Sequence, residues 1–146
     1  MHRIHINFAL LVGLLFLAAG CVSRPPTQKL QTVSFPDVRL EQSEYIQSVK
    51  VSITRGHVVS VNRLLDDWDT EVHWDNPDLQ FVDLQARHFG NGLASVHKLD
   101  GLISIMPGNY QSGIEVILLT ESTDPTGRAP RKIVLNQSQL ILKTHT

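Results

Sequence analysis

The chain has 146 residues, with 13 Lys and Arg against 14 Asp and Glu and a single cysteine. That length suits one domain with one core, and the near-balanced charge excludes a general nucleic-acid binder or a polybasic membrane reader. One cysteine allows no intramolecular disulfide, so burial and backbone hydrogen bonds must hold the core.

Arg3 and the amino terminus place positive charge ahead of residues 8–19, an unbroken run of 12 apolar or glycine residues. That length lies within the roughly 7–15 residues of an export-signal core and below the roughly 18–20 that a spanning helix needs. The small residues Ala18, Ala19 and Gly20 then lead into Cys21. Leu17-Ala18-Ala19-Gly20-Cys21 resembles the lipobox of bacterial lipoproteins, although Ala18 stands where Leu is most frequent. The resemblance covers only the first 21 residues. It implies diacylglycerol on the Cys21 thiol, cleavage between Gly20 and Cys21, and a palmitate-type acyl chain on the freed amine. Two or three chains anchor firmly, whereas one holds weakly at about 0.8 kcal/mol per buried CH₂. Val22 follows, where an Asp resembles an inner-membrane retention signal. The implied address is the periplasmic face of the outer membrane in a two-membrane cell, and otherwise the outer face of the cell membrane.

Residues 1–20 are thus expected to be a signal peptide, and their removal leaves 126 of the 146 residues. Residues 21–34 are expected to be the lipidated Cys21 and a tether, since Pro25 and Pro26 are adjacent, polar residues dominate and no periodicity shows. Thirteen such residues reach about 40 Å at roughly 3.3 Å each. An alternative is that residues 30–33 already pair as an edge strand. The domain is expected over 35–146.

Residues 39–47 read as a short helical turn or a first strand. Residues 45–53 alternate, with Val49, Val51 and Ile53 on one face, which is the period of a half-buried strand. Thr54-Arg55-Gly56 signals a turn, and residues 57–61 resume with Val59 and Val61. Together these two runs predict a hairpin. Residues 62–67 read as a loop with one helical turn. Residues 68–74 alternate, with Trp68, Thr70, Val72 and Trp74 on one face and Asp69, Glu71 and His73 on the other. Both tryptophans are expected in the core because they share the apolar face with Val72. The turn at Asp75, Asn76, Pro77 and Asp78 leads to a strand with Val82, Leu84 and Ala86 on one face. Residues 93–100 suggest a short helical segment or a crossover, and residues 101–106 are the most core-like run. Ile114, Val116 and Leu118 mark the next strand, a polar loop covers 121–130, and two strands close the chain at 131–135 and 140–143. Seven or eight short antiparallel strands with frequent turns predict an all-β fold, a single β-sandwich that is immunoglobulin-like in the loose sense, with a small barrel as the alternative.

Residues 66–83 hold seven of the 14 acids and no Lys or Arg. Asp67, Asp69 and Glu71 have the spacing of a calcium loop's first ligands, but Val72 stands where that loop needs glycine. An irregular calcium site would draw on Asp66, Asp67 and Asp75; a solvated strand face is the plainer reading. His73, His88 and His97 lie among the central strands without an HxH or HxxxH pair, so zinc or copper is not expected. No GxSxG, HExxH, GxxxxGK[ST] or strand-bounded GxGxxG is present. Tyr110, Arg128 and Arg131 are candidate contact residues on loops. The leading expectation is a lipid-anchored, non-enzymatic protein with no cofactor, held at the membrane by Cys21 and offering a binding surface to an envelope protein partner. A glycan or small-ligand binder is the second reading, and an envelope hydrolase the third.

Overall fold

The computed structural model describes residues 29–87, 98–108, 112–127 and 129–145. Among these residues nine strands form: β1 (Gln31–Phe35), β2 (Glu44–Thr54), β3 (Gly56–Val61), β4 (Trp68–Asn76), β5 (Leu79–Ala86), β6 (Leu99–Pro107), β7 (Gly113–Ser122), β8 (Lys132–Leu135) and β9 (Ile141–Thr144). They make a four-stranded sheet in the order β3-β6-β1-β9 and a five-stranded sheet in the order β4-β5-β2-β7-β8, and every pairing is antiparallel. The fold is the expected all-β sandwich. The two sheets remain separate, so the barrel alternative falls.

The core lies between the sheets and follows the period-two pattern. β2 contributes Val49, Val51 and Ile53, β5 contributes Val82, Leu84 and Ala86, and β7 contributes Ile114, Val116 and Leu118. Facing them are Val33 and Phe35 of β1 and Leu102, Ile103 and Ile105 of β6. A bulge between Ile46 and Ser48 shifts the alternation near the start of β2, so that Ile46 joins Val49, Val51 and Ile53 in the core. β6 bends where its register with β1 slips between Val33 and Phe35. Gly101 supplies the positive φ of 63° there, and its N–H donates to the Ser34 hydroxyl at 2.7 Å.

Two boundaries differ from the sequence reading. β1 begins at Gln31, inside the stretch 21–34 expected to be tether, and it is flanked by β6 and β9 rather than lying at an edge. Val33 and Phe35 are fully buried, and burial of those two side chains fixes the segment into the sheet. The expected hairpin of β2 with β3 does not form. β2 is the centre of the five-stranded sheet, with β5 and β7 occupying its two edges, and β3 belongs to the other sheet. Arg55, at φ 58°, turns the corner between them, and its carbonyl accepts from the Gly108 N–H at 2.6 Å and the Ser112 hydroxyl at 2.9 Å.

β3 crosses over β5, where the Val58 N–H donates to the Gln80 side-chain oxygen at 2.7 Å. β4 lies one strand further out in its own sheet. The four-stranded sheet therefore ends before it covers β4, and the five-stranded sheet overhangs by one strand.

Candidate functional site

The overhang shapes the surface of β4. Trp68 pairs with Ala86, Thr70 with Leu84, Val72 with Val82 and Trp74 with Gln80. The four β5 partners are all buried, so these β4 residues point the same inward way. Only Trp68 meets the core, at 5% exposure, beside buried Leu65 of the 3₁₀ turn Arg63–Leu65. Val72 is 45% and Trp74 52% exposed. The expectation that both tryptophans are core holds for Trp68 and fails for Trp74, because among the described residues no strand of the opposite sheet covers the far end of β4. Val59 and Leu64 are also exposed. All four exposed residues belong to the run β3, 3₁₀ turn, β4 that joins the two sheets along this side.

Asn62 fixes that corner. Its N–H donates to the Leu102 carbonyl at 2.9 Å and its amide to the Asp100 carbonyl at 2.8 Å, while its side-chain oxygen caps the 3₁₀ turn through the Leu64 N–H. The direction of β4 is thereby tied to β6 across the sandwich.

The outward face of β4 is charged. It carries Asp69, Glu71, His73 and Asp75, with Asp83 of β5 opposite Glu71. Nearby positive groups offset part of this. Arg87 donates to Asp69 at 3.1 Å, and the Lys50 ammonium lies 4.7 Å from the centre of the Phe81 ring. His73 Nδ1 lies 3.7 Å from Asp83 and 3.9 Å from Glu71, and its ring tilts against Phe81 with centroids 5.5 Å apart. These pairs are exposed, and each is worth about 1 kcal/mol or less.

The proposed calcium ligands are not brought together. Asp66 and Asp67 precede β4 and Asp75 is near its end. Eight residues of extended strand separate Asp67 from Asp75 by roughly 26 Å, far beyond one ion's reach. Among the described residues no three His, Cys, Asp or Glu side chains converge on a metal position. His88 and His97 lie outside the described residues, as do Gly20, Cys21, Tyr110 and Arg128.

Arg131 is described, and its guanidinium is engaged internally. It grips Glu44 with both arms, Nε to Oε2 at 2.8 Å and Nη2 to Oε1 at 2.7 Å, and Nη2 also donates to the Arg39 carbonyl. Glu44 keeps only 2% of its side chain in solvent. The Thr120 hydroxyl donates to its Oε2 at 2.9 Å and the Glu41 N–H to its Oε1 at 3.0 Å. The Arg131 hydrogen bond, with help from the Glu41 N–H and Thr120, pulls the Glu44 carboxyl down to about 2 against the opposing effect of burial. This clamp fastens the start of β2 to the segment leading into β8. The adjoining cavity of about 300 Å³, lined by Leu40, Gln42, Tyr45 and Thr123 among others, has Glu44 in its wall with both oxygens already used. Glu44 therefore has no free oxygen to offer a ligand there. Sequence reasoning missed Glu44 because its partner is 87 residues away and no local pattern joins them.

Comparison with protein families, with curated proteins and with solved structures found no match to this chain.

Proposed function

We propose that this chain is a lipid-anchored, non-enzymatic envelope protein that offers β4 as a protein-binding surface in a periplasmic or outer-membrane assembly. The observation that carries the reading is the uncovered far end of β4, where Val72 and Trp74 stand in solvent on an inward-pointing face. Large apolar side chains grouped along one edge mark interaction surfaces more often than isolated ones do. The lipobox-like residues up to Cys21 support the anchor. Anchoring raises the effective concentration of a weak binder near membrane partners.

Site-directed photocrosslinking in intact cells tests this. A crosslinking side chain at position 74 of the full chain should yield a discrete protein adduct, and one at Val134, exposed on β8, should not. Equal adducts from both positions, or none from position 74, would remove the reading.

The exposure of Trp74 also favours a second reading, a glycan or small ligand stacked on the indole. Titration with envelope glycan fragments should then shift the fluorescence of the native chain but not that of Trp74→Ala.

A further inference from the structure

An edge strand exposes every second N–H and C=O along its free side. Proteins blunt such edges by keeping them short, bulging them or charging them. Among the described residues, three of the four sheet edges are blunted by shortness or by a bulge in mid-strand. β8 and β9 have four residues each, and β3 has six with a bulge between Val58 and Ser60. β4 has nine residues and stays in regular register from Trp68 to Trp74, slipping only before Asn76. It is the longest edge of the sandwich, and beyond Trp68 all of it is exposed.

From this we infer that β4 accepts an extended segment of a partner protein as a sixth strand of the larger sheet, and that the segment alternates Lys or Arg with apolar residues. The inference rests on the function proposed above and specifies the partner chemistry. Side chains on one face of the incoming strand fall beside Val72 and Trp74, which the opposite sheet leaves uncovered. Those on the other face fall beside Asp69, Glu71 and Asp75. Cross-strand pairs of opposite charge favour a cationic segment there, and like charges repel.

The same acids argue against a second copy of this chain as the occupant. Two β4 strands paired antiparallel about Val72 would set Asp69 opposite Asp75 at both ends. Shifting the register by two residues in either direction sets Glu71 opposite Glu71 or opposite Asp75. Each arrangement meets at least one acid–acid pair, so the edge is charged against itself and complementary to a basic strand.

The test uses the full chain in detergent and three synthetic octapeptides. One alternates Lys with Val, one alternates Glu with Val, and one is the Lys/Val peptide N-methylated at alternate amides. The Lys/Val peptide should bind and shield Trp74 from iodide, with affinity falling as salt rises. Neither other peptide should compete. Glu71→Lys should weaken Lys/Val binding at least tenfold while leaving the circular dichroism spectrum unchanged, and Asp83→Asn should weaken it less. Equal binding of the Lys/Val and Glu/Val peptides would overturn the inference, as would undiminished binding of the methylated peptide or no binding of any. A crosslink from position 74 alongside failed peptide binding would sink strand addition and leave the proposed function standing. Loss of the crosslink would sink the proposed function itself.

Discussion

Glu44→Gln removes one charge from the buried clamp while keeping its shape. In the folded protein the Glu44 carboxyl is held at about 2 instead of its ordinary 4.5. At about 1.4 kcal/mol per pH unit, that gap amounts to roughly 3 kcal/mol favouring the folded state. Glu44 is almost fully enclosed, so little screening applies on its side, but Arg131 keeps 31% of its side chain in solvent. A loss of about 2–3 kcal/mol at pH 7 is therefore expected, near the lower end of what breaking a buried ion pair costs. The sign follows from the lowered value. The contribution is complete above about 4.5, shrinks as pH falls from there towards about 2, and is gone below it. Urea unfolding of the native and substituted chains between pH 7 and pH 2.5, read by circular dichroism, measures the difference directly. The two stabilities should converge on acidification. A cycle with Arg131→Met should show that the second substitution costs less once the first is present. A Glu44→Gln chain within about 0.5 kcal/mol of native at pH 7 would refute the argument, because such a value belongs to an uninvolved surface site. A gap that stays constant down to pH 2.5 would refute it equally.

The two tryptophans should separate cleanly. Trp68→Ala is expected to cost about 3–5 kcal/mol by emptying a core site, and Trp74→Ala less than about 0.5 kcal/mol, both measured by denaturant unfolding. Similar losses at the two positions would contradict the overhang. At Gly108 an added Cβ would stand 2.6 Å from the Arg55 carbonyl oxygen, so Gly108→Ala should destabilise by more than about 1 kcal/mol, and an unchanged unfolding midpoint would show that this approach can relax. Cys21→Ser should yield a chain without lipid mass that leaves the membrane fraction while retaining the β-sheet circular dichroism signature. Unchanged fractionation would discard the anchor.

Strand periodicity made the sandwich legible, because a face buried between sheets demands apolar residues at every second position. What periodicity cannot carry is which sheet a strand joins and whether anything lies over it. β2 and β3 read as a hairpin because adjacent strands usually pair, yet β2 packs its two edges against β5 and β7 and leaves β3 to the other layer. The Glu44–Arg131 clamp was unreadable for the same reason, since its two halves meet only after the chain has closed on itself. β4 did carry a faint local signal. The covered faces of β5 and β7 are apolar at Val82-Leu84-Ala86 and Ile114-Val116-Leu118, and their polar members, Gln80 and Thr120, are buried with hydrogen-bond partners. The corresponding face of β4 runs Trp68-Thr70-Val72-Trp74, interrupted by a hydroxyl. A fully covered strand would leave that hydroxyl without water or require a partner for it, whereas an overhanging strand leaves it solvated at no cost. Thr70 is exposed, so the interruption marks where cover ends. The acids that suggested calcium fit the same account. On a nine-residue edge, Asp69, Glu71 and Asp75 repel another copy of the strand, and that requirement accounts for acids spread along an extended strand, where ligation would need them converging on one point.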